Sequence, residues 1–332
     1  MKAAATRVAL LGATGSIGQQ ALEVIEADPA LSVCALASGS QPLDQLAAAH
    51  GVEHVQVGGD LTEILETCEP DIVLNAVAGF AGVGATLWSL ERGVTLALAN
   101  KESLVAAGKL AVASWGRGGG RLLPVDSEHS ALFQCLEGRA RETVDSATLA
   151  NKGLELIEAH YLFGLEYERI DVVVHPTSVV HALVRFRDGA ALAHLGYPDM
   201  RVPISYALTH PERRPTPVPS LDFTGGLTLE FELPDPARFP MLRLAREAGE
   251  RGGTYPCAFN AANEVAVAAF LDGRIEFLEI ASLVEDALDR VDGAPARDLP
   301  ELVEADAEAR RVAEDSMGTV PMRGQSPTPG RA

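Results

Sequence analysis

The first part of the chain alternates short apolar runs with helix-length stretches of mixed polarity. Continuous apolar runs bounded by glycine are typical of buried parallel strands, whose two faces are both covered by helices. Strands that alternate with helices indicate an α/β fold. We therefore predict four strands at Arg7–Leu11, Ser32–Ala37, Asp71–Val77 and Val94–Ala99.

The pattern changes in the second half. Residues 170–185 and 190–195 read as successive strands, which predicts a separate α+β domain. Prolines between His210 and Pro219 predict a linker, and residues 241–316 are mostly helical in pattern. The last residues are rich in Gly, Pro and Thr, which predicts disorder.

A glycine loop follows the first predicted strand. Gly12, Gly15 and Gly18 stand three residues apart before a helical pattern at Gln19–Glu26. Such glycines permit a tight turn and a close approach of the backbone, and the helix N-terminus attracts pyrophosphate. The loop is a variant of the dinucleotide fingerprint, although a purely structural turn would also fit. The second strand ends at Ser38-Gly39-Ser40-Gln41, which has neither the acid that selects NAD nor the base that selects NADP.

Polar residues also follow the strand that ends at Ala99. Asn100, Lys101 and Glu102 come at the carboxyl end of this strand, where open α/β sheets bind their ligands. The alternative to a ligand site is that these residues are simply the start of a helix, with Lys101 exposed to solvent.

The stretch from Leu123 to Glu155 carries most of the candidate chemistry. In an extended segment Asp126 and Glu128 would present their carboxylates on the same side. If a helix follows Ser146, Asn151 and Glu155 share a face, with Lys152 beside them. Three carboxylates suit a hard divalent cation such as Mg²⁺, and serines, an amide and a lysine suit a phosphate group. A polar loop followed by an amphipathic helix would give the same pattern.

Bulk composition narrows the function classes. The 332 residues are 47% hydrophobic and 22% charged, as in a soluble globular protein. A net charge of −19 argues against nucleic acid or an anionic membrane as a partner, but allows a phosphorylated substrate in a local positive pocket. The uncharged run 72–90 is interrupted by Asn75 and glycines, so we expect no membrane span. Four widely spaced cysteines predict reduced thiols in the cytoplasm.

Taken together, eight motifs resemble those of the 1-deoxy-D-xylulose 5-phosphate reductoisomerases. These enzymes use NADPH and a divalent metal to rearrange and reduce their substrate to 2-C-methyl-D-erythritol 4-phosphate, in the non-mevalonate isoprenoid pathway. The motifs occur in the family's order: Gly12–Gly18, Ala99–Val105, Leu123–His129, Val144–Thr148, Asn151–Glu155, His175–Ser178, Gly196–Met200 and Asn260–Glu264.

The resemblance implies roles for individual residues. The metal (Mn²⁺, Mg²⁺ or Co²⁺) would be bound by Asp126, Glu128 and Glu155. Lys101, Asp126 and Glu128 would be the catalytic residues. The substrate would be bound by Lys101, Ser127, Glu128, Ser146, Asn151, Lys152 and Glu155. NADPH would be bound by Thr14, Gly15, Ser16, Ile17, Gly39, Ser40, Gln41, Asn100 and Glu102.

The resemblance also implies a domain organisation and a homodimer. We predict a Rossmann-like NAD(P)-binding domain at 1–125, a central α+β catalytic and metal-binding domain at 126–209, a linker at 210–240, a C-terminal helical domain at 241–316 and a disordered tail at 317–332.

The chain departs from the family pattern in three places. Between Glu142 and Thr143 the chain lacks roughly fifty residues of the family, which include the tryptophan-bearing lid. The first domain is shorter than in the family between Gln41 and Asp71. Ser40 stands where the family has a basic residue. Lids exclude water and complete catalytic sites. We therefore keep two alternatives to an ordinary enzyme: a catalytically impaired relative that retains cofactor and metal binding, or a sequence that has lost an internal segment.

Overall fold

A computed structural model of the chain describes residues 5–136, 144–146, 151–235 and 239–317, with the side chains of 144–146 and 151 outside that description. The junction at 142–143 and residues 318–332 of the predicted tail lie outside these residues, whereas Met317 ends the last helix. The strands are β1 Thr6–Leu11, β2 Leu31–Ser38, β3 His54–Val57, β4 Ile72–Asn75, β5 Thr95–Leu98, β6 Leu122–Pro124, β7 Val144–Ser146, β8 Ile170–Val172, β9 Val180–Arg185 and β10 Ala191–Leu195. The helices are α1 Ser16–Ala27, α2 Asp44–His50, α3 Leu61–Cys68, α4 Val83–Glu91, α5 Lys101–Gly118, α6 Ser127–Leu136, α7 Asn151–Phe163, α8 Arg201–Thr209, α9 Pro240–Arg251, α10 Tyr255–Leu271, α11 Glu279–Arg290 and α12 Leu299–Met317.

The first sheet consists of six parallel strands in the order β3-β2-β1-β4-β5-β6. This is the strand order of a doubly wound dinucleotide-binding fold. All four residues of β4 are buried, because helices cover both faces of the sheet. The prediction of an N-terminal α/β domain is confirmed.

The short region between Gln41 and Asp71 contains α2, β3 and α3. Although this region is short, the sheet is complete at this edge, because β3 pairs with β2 in the six-stranded order. The sequence pattern did not predict β3, since its four residues His-Val-Gln-Val alternate between half-buried and exposed at the edge of the sheet. An edge strand of this length has no continuous apolar run to reveal it.

The second sheet is mixed and has the order β10-β9-β7-β8. Strand β9 is antiparallel to both of its neighbours, whereas β7 and β8 are parallel. Helix α6 packs against β9, and α7 packs against both α5 and α9. The central α+β region is thus confirmed, and α7 connects it to the first and last parts of the chain.

Four helices, α9 to α12, follow a segment without regular helices in its described part, 210–235. Helix α10 lies at the centre of this group, contacts the other three helices and α5, and buries Cys257 and Phe259 completely. The predicted helical C-terminal region is confirmed. Among the described residues, no helix combines the length and apolar character that a membrane span requires.

Candidate active site

The glycine loop lies at the carboxyl end of β1, next to the end of β4. Gly12 has φ +83°, and a Cβ on it would stand 2.3 Å from the carbonyl oxygen of Ala76. A Cβ on Gly18 would stand 2.3 Å from the carbonyl oxygen of Gly12. These two glycines are required by packing. Gly15 is different, because its φ is −76° and its nearest neighbour would be 3.4 Å from an added Cβ.

Helix α1 starts directly after this loop. Its N-cap residue is Gly15, which has no side chain to accept a hydrogen bond from the first N–H groups of the helix. Thr14, Gly15 and Ser16 are exposed and Ile17 is half-buried. Uncapped N–H groups at a helix N-terminus are a site for phosphate. Gly39, Ser40 and Gln41 are exposed beyond the end of β2. The structure thus places both predicted cofactor segments after adjacent strands, on the same edge of the sheet.

Asn100 and Glu102 fasten the loop that follows β4. The amide of Asn100 donates to the carbonyl oxygens of Val77 (2.6 Å) and Gly79 (2.9 Å), and its oxygen accepts from the N–H of Ser103 (3.0 Å). Glu102 accepts from the N–H of Gly79 (3.1 Å). Burial raises the pKa of Glu102 above its usual value. Asn100 is buried, and its contacts fix the shape of the loop after β4.

Three carboxylates meet beyond the end of β6. Asp126, Glu128 and Glu155 each offer an oxygen, and these oxygens lie within 4.8 Å of one another. Asp126 caps α6, accepting from the N–H groups of Glu128 and His129 at 3.1 Å each. The expectation of an extended segment at 126–128 is wrong, since a helix begins at Ser127. The carboxylates still converge, because Asp126 precedes the helix and Glu128 lies in its first turn.

Two lysines occupy the centre of this carboxylate cluster. Lys101, in the first turn of α5, contacts Asp126 and lies 3.1 Å from Glu155. Lys152, which is 1% exposed, lies 2.7 Å from Glu128 and also contacts Glu155. The predicted pairing of Lys152 with Glu155 along one face of α7 is therefore observed. The hydroxyl of Ser127 donates to Glu128.

The mutual electrostatics of the cluster shift several pKa values. Burial alone would raise the pKa of Asp126, but Lys101, His129 and Lys152 together outweigh it and hold that pKa below its usual range. Burial also opposes the Lys101 ammonium, yet Asp126 and Glu155 keep its pKa well above normal. Burial, together with the charge of Asp126, raises the pKa of Glu155 to about 7. These shifts follow from several anions sharing a small desolvated volume.

His129 and Glu158 belong to the same cluster, and neither is among the predicted site residues. His129 Nδ1 lies 3.0 Å from Glu158 and 3.3 Å from Asp126, and Nε2 lies 3.0 Å from the backbone oxygen of Glu155. Although burial lowers the pKa of His129, Glu158 and Asp126 raise it to about 9. The sequence signal that could have identified Glu158 is its position, one helical turn after Glu155 and inside an apolar stretch of α7.

The remaining candidates are less tightly linked to the cluster. The side chains of Ser146 and Asn151 lie outside what the structure describes. His175 is buried, with Nδ1 2.7 Å from the backbone oxygen of Glu230 and Nε2 2.9 Å from the Thr177 hydroxyl. Both ring nitrogens of His175 thus have partners within the fold, which is typical of a packed histidine.

The donor set of the cluster fits a hard divalent cation. Glu128 of α6, Glu155 of α7 and Asp126 just before α6 are the three potential ligands, and all three are carboxylates. Oxygen ligands of this kind are the ones that Mg²⁺ or Mn²⁺ prefers. The neighbouring ammonium groups fit an anionic substrate that would bind beside the cation.

Family models match most of the chain. A model described as 1-deoxy-D-xylulose 5-phosphate reductoisomerase matches residues 8–59 and 42–108. A model of the C-terminal domain of that enzyme matches residues 140–163, and one described as the DXP reductoisomerase C-terminal domain matches residues 195–312.

Curated relatives agree with these models. The chain is 41% identical to the 1-deoxy-D-xylulose 5-phosphate reductoisomerase of Heliobacterium modesticaldum, with 94% of this chain and 97% of the relative covered. It is 43% identical to that of Rhodococcus jostii, with 93% of each covered. The first alignment spans 381 positions, more than the 332 residues of this chain, so the relative has residues without a counterpart here.

Solved structures of the same enzyme are similar throughout. The enzyme from Zymomonas mobilis in complex with NADPH aligns with a TM-score of 0.86 and 37% identity, covering 96% of this chain and 100% of that one. A complex of the enzyme with NADPH, fosmidomycin and magnesium aligns with a TM-score of 0.87 and 32% identity, covering 96% and 99%.

Proposed function

Because the chain belongs to the 1-deoxy-D-xylulose 5-phosphate reductoisomerase family, we propose that its carboxylate cluster and glycine loop form the active site of that enzyme. The resemblance noted from the motifs is confirmed, and with it the assignment as an NADPH-dependent oxidoreductase. The reaction converts 1-deoxy-D-xylulose 5-phosphate to 2-C-methyl-D-erythritol 4-phosphate. The convergence of Asp126, Glu128 and Glu155 on Lys101 and Lys152 is the observation that carries the proposed residue roles.

In this proposal Asp126, Glu128 and Glu155 hold a divalent cation, which is supported by the magnesium in related structures. When bound, the cation stabilises the negative charge that develops on the substrate's ketone and hydroxyl oxygens. The carboxylate oxygens are now in contact with Lys101 and Lys152. With those oxygens engaged by a cation, the ammonium groups of Lys101 and Lys152 would be available to pair with the anionic substrate.

The substrate would contact Lys101 and Ser127 near its reacting end. Its phosphate would be held by Ser146, Asn151 and Lys152. Lys152 is well suited to this role, because it is almost fully buried and lies in the first turn of α7, which holds its ammonium group in place. A buried ammonium that exchanges carboxylate partners for a phosphate needs little reorganisation of its surroundings.

NADPH would bind across the carboxyl edge of the first sheet, as the related NADPH complexes suggest. Its pyrophosphate would lie on Thr14, Gly15, Ser16 and Ile17 at the start of α1. The adenosine ribose would reach Gly39, Ser40 and Gln41. The nicotinamide would face the loop that Asn100 and Glu102 hold in place.

The test is NADPH oxidation by the purified protein with deoxyxylulose phosphate and Mn²⁺. We expect metal-dependent oxidation that Glu128→Gln abolishes. Glu91→Gln, an identical change in a surface ion pair with Arg117, should leave the rate unchanged. Absence of oxidation over a wide range of enzyme concentrations, with NADH also supplied, would refute the catalytic assignment.

The impaired relative remains the second candidate, because the relatives have residues that this chain lacks. It predicts calorimetric binding of NADPH and Mn²⁺ without turnover. Insertion of the lid segment of a relative between Glu142 and Thr143 should then restore the reaction. No gain of rate in a folded chimera would count against this alternative.

We also propose a homodimer, supported by an apolar row in the segment before residue 236. Leu227, Leu229, Phe231 and Leu233 are all exposed at every second position, and Leu233 is 85% exposed. This spacing places them on one side of an extended segment. Replacing Leu233 by Asp should lower the sedimentation coefficient toward that of a monomer. A cytoplasmic location is supported by Cys34, Cys68 and Cys257, whose thiols form no disulfide.

A further inference from the structure

Glu158, which is outside the proposed ligand set, lies on α7 one turn after Glu155. Its residue is 0% exposed, and neither carboxylate oxygen has a hydrogen-bond partner among the described residues. A buried carboxyl group without compensation is costly. The compensation comes from the ring of His129, whose Nδ1 lies 3.0 Å from a Glu158 oxygen in an ion-pair contact.

The His129 ring spans the two helices that carry the carboxylate cluster. Its Nε2 faces the backbone carbonyl of Glu155 at 3.0 Å, and because a carbonyl oxygen can only accept, Nε2 carries a hydrogen. On the other side Nδ1 faces Glu158 at 3.0 Å and Asp126 at 3.3 Å. The ring therefore links the residue that caps α6 to the backbone of α7.

From this geometry we propose that Glu158 is a positioning residue for the cation site. Its carboxylate orients the His129 ring, and the ring holds Asp126 and Glu155 at the separation that a divalent cation requires. This inference rests on the proposed metal site. Outer partners that orient the groups around a metal commonly change metal affinity by about 10–100-fold when they are replaced.

A second route from Glu158 to the site has to be separated from the first. Glu158 also acts electrostatically on Lys101, which contacts Asp126 and Glu155 directly. If the charge on Glu158 worked mainly through Lys101, the identity of residue 129 would be irrelevant to its effect. The two routes therefore differ in their dependence on His129.

The experiment measures Mn²⁺ binding to the full-length protein, free of substrate and cofactor, by calorimetry and by the electron paramagnetic resonance signal of free Mn²⁺. Five variants are compared with the unaltered chain: Glu158→Gln, Glu158→Asp, His129→Gln, the double variant Glu158→Gln/His129→Gln, and Glu128→Gln. Tyr161→Phe, which removes a polar group from the next turn of α7, is the control for a general disturbance of that helix.

We expect Glu158→Gln to weaken Mn²⁺ binding by about tenfold and Glu158→Asp by less, with Tyr161→Phe unchanged. In the His129→Gln background, Glu158→Gln should cause no further weakening, since interacting residues are not additive. The imidazole ¹⁵N resonances of His129 should also change in Glu158→Gln. A merely structural role of Glu158 would not produce this dependence on residue 129.

Three results would overturn the inference. The first is Mn²⁺ affinity in Glu158→Gln equal to that of the unaltered chain. The second is an equal loss of affinity with and without His129. The third is failure of both Glu158 variants to fold, which would assign the residue to stability. If the unaltered chain fails to bind Mn²⁺, or binds it as well as Glu128→Gln does, the proposed metal site itself fails.

Discussion

Replacing Lys152 by Gln tests whether the ammonium groups and a divalent cation share the same carboxylate oxygens. Lys152 is 1% exposed and contacts both Glu128 and Glu155, of which Glu155 is 3% exposed. Removal of one partner from a buried ion pair usually costs about 3–5 kcal/mol, because the other charge is left buried and unpaired. We expect the metal-free variant to lose unfolding free energy of this order.

The same substitution should strengthen cation binding. In the unaltered chain a cation has to take oxygens away from Lys152, whereas in the variant those oxygens carry no ammonium. A site that binds Mn²⁺ tenfold more tightly gains about 1.4 kcal/mol more stability at the same saturating concentration. The stability gap between the two proteins should therefore narrow by at least this amount in Mn²⁺.

Urea unfolding followed by circular dichroism, with and without Mn²⁺, measures both effects. Lys109→Gln is the matched control, since Lys109 is exposed on α5 and its replacement should change stability by no more than about 0.5 kcal/mol. A gap that stays constant or widens on addition of Mn²⁺ would refute the shared-oxygen argument. A metal-free loss below about 1 kcal/mol would show that the ion pairs are not buried as described.

Three further predictions concern the cofactor loops and the second sheet. Gly15→Ala should fold normally and raise the KM for NADPH about tenfold or more, because its Cβ has space in the protein but not beneath a phosphate. Gly12→Ala should instead lower the melting temperature, since its Cβ would stand 2.3 Å from the carbonyl oxygen of Ala76. Equal behaviour of the two variants would contradict this. Ser40→Arg should raise the preference for NADPH over NADH by about tenfold, equivalent to one hydrogen bond to a charged group, in steady-state kinetics with both cofactors. Burial, together with His181, lowers the pKa of His194 from 6.5 to about 4. Between these pH values the folded state binds fewer protons than the unfolded state, so stability is lost as the pH falls through this window. His194→Gln should flatten this pH dependence of the unfolding free energy in urea titrations. An unchanged slope would show that His194 does not contribute.

The Rossmann-like sheet could be predicted because its inner strands are buried on both faces. Strands such as β1 and β4 must be continuously apolar to lie there, so the requirement is visible in local sequence. The edge strand β3 could not be predicted, since two of its four residues are exposed and its stability comes from pairing with β2. The hydrophobic pattern therefore predicts a strand only where both faces of the strand are buried and every residue has to be apolar.

The sequence alone determined the ingredients of the site. The glycine spacing, the acids at 126, 128 and 155 and the lysines at 101 and 152 were all recognisable, because each residue type has a chemistry of its own and the family motifs fix their order. The local geometry of Asp126 was mispredicted, since its capping of α6 depends on where that helix begins. Sequence spacing gives no distance between residues that lie on different elements.

Only the tertiary structure decided which charges meet. Lys101 reaches Asp126 and Glu155 because α5 packs against α7, and buried apolar residues of both helices, such as Ala111 and Ile157, belong to one core cluster. Glu158 of α7 is buried beside His129 of α6, a contact between residues 29 positions apart. A glutamate in a helix is ordinarily a solvent-facing residue, and only the burial of Glu158 beside His129 makes it part of the site.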